Sequence, residues 1–259
     1  MNAKLLLVSA FMLAALCAFA QNNTTDEGVE INGIVWATRN VDAPGTFAEN
    51  PEDAGMFFQW NRRVGWSSTD PLVNSDGGTD WDDSIPEGTE WEKENDPCPE
   101  GWRVPTISEL SSLNNTSIWT TNNGVNGRLL GTAPYQIFLP AVGWRWNHID
   151  GSFGGAGEVS TYWSSSSGTA WIDGTLDYVP LALWFSNENS FDVSPHRASA
   201  SSVRCVKKEN ETSINTPPAE NNRTIVAFYN VLGQRLGQAP QRGIYIVVFD
   251  NGSTEKRMR

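Results

Sequence analysis

Asp96-Pro97-Cys98-Pro99-Glu100-Gly101-Trp102-Arg103-Val104-Pro105-Thr106 is the stretch from which the rest of the chain is read. Three prolines and a glycine keep it irregular until its end. There Pro105 precedes Thr106, and Glu109 follows at the spacing of a capping box. Leu110 and Leu113 add an apolar edge, so a helix is expected over 106–113. Cys98, near the front of the stretch, needs a partner, and the other cysteines are Cys17 and Cys205.

Cys17 lies in an export leader. Lys4 is followed by Leu5-Leu6-Leu7-Val8 and an apolar run to Phe19, too short to span a membrane. Ala18-Phe19-Ala20 supplies the small-x-small pattern of a signal peptidase, which predicts cleavage after Ala20 and Gln21 as the new terminus. A lipoprotein signal at Cys17 is disfavoured by the bulky Leu16 before it. Residues 21–28 read as a polar linker. Outside the cytoplasm, Cys98 and Cys205 are expected to form one disulfide. It closes a loop of about 100 residues, which the chain-entropy model values at roughly 4–5 kcal/mol. A redox pair is disfavoured, since no Cys-x-x-Cys spacing occurs.

Working outward, residues 30–41 read as an opening hairpin or strand and Met56–Trp60 as a strand. Asn50-Pro51-Glu52-Asp53 reads as a short helical turn. Residues 65–97 are rich in Asp, Gly, Ser and Pro and read as irregular. Strands are expected at 135–146, 160–165, 179–186, 190–194 and 201–207. The main domain is expected over 29–208. Residues 209–222, with Pro217-Pro218, are expected to be a linker. The tail, 223–259, holds two apolar β runs at Thr224–Val231 and Gly243–Phe249. It is short for an independent core, so it is either a partial module or a segment that another protein grips. The fold class expected is α+β, mostly β and loop-rich, with one or two short helices.

The net charge is -12. Residues 1–20 carry +1 and 223–259 carry +4, which leaves -17 on 21–222. Such a surface repels phosphate backbones, so nucleic acid is not an expected partner. No apolar run after residue 20 is long enough to span a membrane as a helix.

Three motifs carry a resemblance: the stretch 96–106, Tyr162-Trp163-Ser164-Ser165, and Ser202-Val203-Arg204-Cys205-Val206. In that order and spacing they resemble the Fibrobacter major paralogous domain family. The resemblance implies a C-type-lectin-like fold over roughly 29–208, with Cys98–Cys205 tying the helix region to the last strand. It implies no activity, because that family's function is poorly defined. Phe228–Arg235 with Gly243–Val247 is similar to type IX secretion sorting domains, whose usual basic ending is matched by Lys256-Arg257-Met258-Arg259. That implies passage across the outer membrane and release or surface attachment, with the secretion machinery as a partner. Only the second half of such a domain is present. Asp83-Ser84-Ile85 resembles the O-glycosylation site of bacteria that use this route.

Twelve Trp are the main chemical signal. Trp144-Arg145-Trp146 alternates on an expected strand, so both indoles share one face and Arg145 points the other way. Either the indoles are exposed and stack on sugar faces, or they are core. Trp163, Trp171 and Trp184 are expected in the core, with Tyr162 facing opposite Trp163. Asp76, Asp80, Asp82 and Asp83 cluster in a Gly-containing loop. They form a candidate calcium site, although EF-hand spacing is absent. The Glu-Pro-Asn and Gln-Pro-Asp triplets of calcium-dependent sugar-binding lectins do not occur. Neither His148 nor His196 has metal-ligand spacing, and no nucleophile elbow or phosphate loop occurs. With both mature cysteines committed to the bridge, the fold's cysteine-dependent enzymes are not expected either.

The expected function is therefore an exported, non-enzymatic binding module for a glycan or a surface protein. A structural or pilus-tip subunit of the envelope is the alternative, and a polysaccharide hydrolase is a distant third.

Overall fold

The computed structural model describes residues 24–147, 150–208, 224–230, 232–250, 252 and 254–258. The expected leader, residues 21–23, His148 and the expected linker at 209–222 lie outside them. The chain divides into two compact units, parting between Lys208 and Glu209.

The fold is nearly all β, with 45% strand against 5% helix in several sheets, which overturns the α+β expectation, while the chain is mostly β and loop as expected. The capping box does form: Thr106 accepts from Glu109 N, and Glu109 reaches back to Thr106 N. However, the helix it starts, α1 (Ile107–Ser112), is the one α-helix among the described residues. Six residues bury only Leu110 within the helix and cannot form a layer. Asn50-Pro51-Glu52-Asp53 is a turn rather than helical, with Asp53 N donating to Asn50 O at 3.2 Å.

The first unit opens with the hairpin β1 (Val29–Ile31) and β2 (Ile34–Trp36). These join β15 (Val206–Lys207) and β5 (Trp102–Arg103) in a four-stranded sheet. A second, three-stranded sheet runs through β6 (Ile118–Asn122), β7 (Val125–Thr132) and β8 (Tyr135–Pro140). The largest sheet has eight strands. Its members are β3 (Phe57–Gln59), β4 (Gly65–Trp66), β9 (Val142–Arg145), β10 (Phe153–Ala156), β11 (Val159–Ile172), β12 (Thr175–Ser186), β13 (Ser190–Val193) and β14 (Ala200–Ser201). Its order is β13-β12-β11-β9-β14-β3-β4, with β10 alongside β9.

Three hairpins close through two-residue turns, Asn32-Gly33, Asn123-Gly124 and Asp173-Gly174, each with both residues at positive φ. That is the type I′ geometry whose twist matches paired strands. No element was expected at 118–132, although Asn123-Gly124 is the signal for one.

Tyr162 and Trp163 on β11 show why this strand is central. Both are fully buried, and alternation sends them into different clusters. Tyr162 packs with Trp36, Leu110, Leu139 and Phe185. Trp163 packs with Phe58, Trp60, Trp102 and Val203, beside Cys98 and Cys205. The two cysteines are bonded, which fastens stretch 96–106 to the end of the unit. Buried Arg204, next to Cys205 in the chain, reaches β8 and the segment after β2. Its Nε and Nη2 donate to Asn40 Oδ1 at 3.0 and 2.7 Å, and Nη1 and Nη2 reach Ala37 O and Phe138 O.

The second unit is a four-stranded antiparallel sheet ordered β17 (Arg235–Leu236), β16 (Ile225–Asn230), β18 (Ile244–Phe249) and β19 (Thr254–Met258). Tyr245, Val247 and Phe249 are its buried residues, with Phe228 and Leu236 packed on them.

Candidate functional site

Strand β9 and the residue that follows it place Trp144 and Trp146 on one face of the large sheet. Trp144 is half-buried and Trp146 is 43% exposed, so neither is core. Their rings meet at 4.9 Å and 70°, forming a corner. Gly155 of β10 makes room for it: a Cβ there would lie 2.9 Å from the Trp144 ring, and its φ of +82° suits glycine.

The neighbouring strands complete a cavity of about 330 Å³. On β11, Thr161 faces Trp184 of β12 as a direct cross-strand partner. Ser160 pairs with Gly143, which sets Thr161 beside Trp144. Ser199 and Ser201 line the β14 side, with Asn147, Ser194 and His196 at the rim. His196 is oriented locally: its Nδ1 accepts from Ala198 N at 3.2 Å, which leaves Nε2 as the N–H of the neutral ring. No Asp, Glu, Lys or Arg is among the described lining residues.

Arg145 points away, as alternation requires, and the structure removes it from the candidate ligand set. It is 1% exposed and holds two loops together. Nε donates to Ser67 O, Nη1 to Gly151 O and Nη2 to Thr69 O, each at 2.8 Å. Its guanidinium also lies 5.7 Å from the Phe153 ring. A group so occupied is a brace beneath the site.

Of the three Trp expected in the core, only Trp163 is there. Trp184 lines the cavity, and Trp171 stands 74% exposed near the tip of the β11–β12 hairpin. Trp184 escapes sequence reading because its site partners come from distant strands. Alternation on 179–186 fixes its face but not what that face meets.

The acidic loop does not assemble. Among the described residues no three His, Cys, Asp or Glu side chains come together to hold a metal. Asp82 is instead bound to Arg62 and to Ser84 Oγ. Burial raises the Asp82 pKa, but the Ser84 hydrogen bonds and Arg62 outweigh it and hold the carboxyl below its usual range. Asp76, Asp80 and Asp83 are exposed. Ser84 is exposed too, with its Oγ also accepting from Arg62 at 2.6 Å.

A larger cavity, about 480 Å³, borders Thr25, Asp26, Glu27, Gly28, Thr38 and Arg39. Asp26 there already accepts from Gly28 N, Thr38 N, Thr38 Oγ and Arg39 Nε. With its buried charge paired and no aromatic platform, it is a weaker ligand site than the Trp cavity.

The chain matches no protein-family model, no curated protein and no solved structure. No helix among the described residues is long and apolar enough to cross a membrane.

Proposed function

We propose that this chain is an exported, non-enzymatic binding protein whose Trp144–Trp146–Trp184 cavity takes an uncharged sugar. One observation carries the reading: three indoles and several hydroxyl and amide groups converge on one cavity whose described lining bears no charge. Indole faces match the C–H faces of pyranose rings, while Thr161, Ser199, Ser201, Asn147 and His196 supply donors and acceptors. A lining without Asp or Glu favours binding over hydrolysis, which needs a pair of carboxylates across the bond. The cavity needs no calcium bridge, so chelation should not affect binding. Export rests on the leader, and the second unit fits a sorting signal that the secretion machinery reads.

A glycan and surface-protein array, probed with the intact disulfide-bonded chain with and without a chelator, tests this. Saturable, chelator-insensitive binding of neutral glycans, lost in Trp146→Ala, supports the reading. Binding of proteins alone, or of a quaternary ammonium compound such as choline through the indoles, overturns it.

The second reading is a structural subunit of the envelope. The β11–β12 hairpin favours it, with Trp171, Leu176 and Tyr178 exposed on one face near its tip. Concentration-dependent association of the intact chain, lost in Trp171→Asp, would favour this over sugar binding.

A further inference from the structure

The Trp cavity continues beyond its own walls. Strand register puts Phe191 of β13 directly opposite Trp184 of β12, and Trp184 directly opposite Thr161 of β11. The β11–β9 pairing then brings in Trp144. Phe191, Trp184, Thr161 and Trp144 therefore form a row on one face, running across four neighbouring strands. With about 4.8 Å between strands, the row is roughly 14 Å long. Phe191 lies outside the cavity lining, yet its ring is 4.9 Å from Trp184 at 33° and it is 50% exposed. A half-exposed Phe packed at a tilt against a site Trp extends the aromatic surface outward. Its neighbour Asp192 points to the opposite face, where it accepts from Ser111 Oγ of α1. The row itself thus stays uncharged. Strand β13 is the edge of the sheet, so the row is open at the Phe191 end.

We propose that the ligand is a linear chain of at least three uncharged sugar rings, lying across the strands along the row Phe191–Trp184–Thr161–Trp144. This rests on the sugar-binding reading above. One ring and its glycosidic link advance by roughly one strand spacing, so three rings laid end to end cover about the length of the row. Trp144 and Trp146 hold one ring in their corner, Trp184 platforms the next, and Phe191 takes the third at the sheet edge. A short row of aromatic faces on a rigid sheet selects for an extended polymer and gives a lone monosaccharide only part of the contact.

The test is a set of ladders of one to six rings, made from neutral β-1,4-glucose, α-1,4-glucose, β-1,4-xylose and β-1,4-mannose oligomers. Affinity for the intact chain is measured for wild type, Phe191→Ala and Phe191→Tyr. In the ladder that binds, affinity should rise at each step to three rings. Phe191→Ala should weaken the trimer by about tenfold and leave the monomer unchanged, and Phe191→Tyr should restore the trimer. Equal melting temperatures for the three proteins confirm that the loss is local. Binding that is no tighter for the trimer than for the monomer overturns the row while leaving the sugar site standing. The same holds if Phe191→Ala weakens every length alike. Failure of every ladder on folded protein overturns both.

Discussion

Single residues separate the site from the frame. Trp146 is 43% exposed and outside the core, so Trp146→Ala should cost about 1 kcal/mol of stability while removing the proposed sugar binding. Trp163 is fully buried and donates to Phe58 O at 2.6 Å, so Trp163→Ala should cost about 3–5 kcal/mol. Chemical denaturation of the two variants checks both. Arg204 makes the same distinction for charge. It is fully buried, and burial pushes its pKa down to about 10. Among the described residues no carboxylate pairs with it, so backbone carbonyls, Asn40 and the Tyr162 hydroxyl surround its positive charge. Arg204→Ala strands those acceptors and should cost about 3 kcal/mol or more. Glu109 offers a pH test. Burial raises its pKa, but the Arg103 fork and the Thr106 N–H prevail and hold it low. A carboxyl with a lowered folded pKa stabilises above its unfolded pKa and loses that contribution as pH falls through the folded value. Glu109→Gln keeps an acceptor for the cap, so its penalty should be present at pH 7 and fade at pH 2–3 in paired melting curves.

At the scale of elements, what the sequence reveals depends on how local the signal is. The α1 capping box, the β1–β2 hairpin and the Trp144–Trp146 alternation are readable because every participant lies within a few residues. Strands β6 and β7 are signalled by Asn123-Gly124, yet Thr-Thr-Asn and Asn-Gly-Arg around it give little alternation. Trp184 and Phe191 belong to the site only through strand register, which no local pattern encodes. The long β11–β12 hairpin illustrates the opposite error. Trp171 looks like a core residue in sequence, but past the bulge between Trp163 and Ser167 the arm has no third strand. With one neighbour each, these strands are weakly protected. Amide exchange should therefore be fast over 168–178 and slow over 182–185, where β12 lies between β11 and β13.

The whole molecule is governed by the length of its closures. The Cys98–Cys205 bond spans 107 residues, so its removal should cost the first unit about 4–5 kcal/mol in the chain-entropy model. The second unit holds neither cysteine, and its melting should not respond to reductant. The α+β expectation fails at this scale for a physical reason. A well-formed cap begins a helix of only six residues, and the apolar burial is done by strands of several sheets. The cavity is a product of the same long-range pairing, with lining residues drawn from 144 to 201. The most direct measurement is the response of the indole N–H signals of the intact chain, assigned by single Trp→Phe variants, to the neutral oligosaccharide that binds. The account predicts shifts confined to Trp144, Trp146 and Trp184. Shifts at Trp171 with these three unmoved would contradict it.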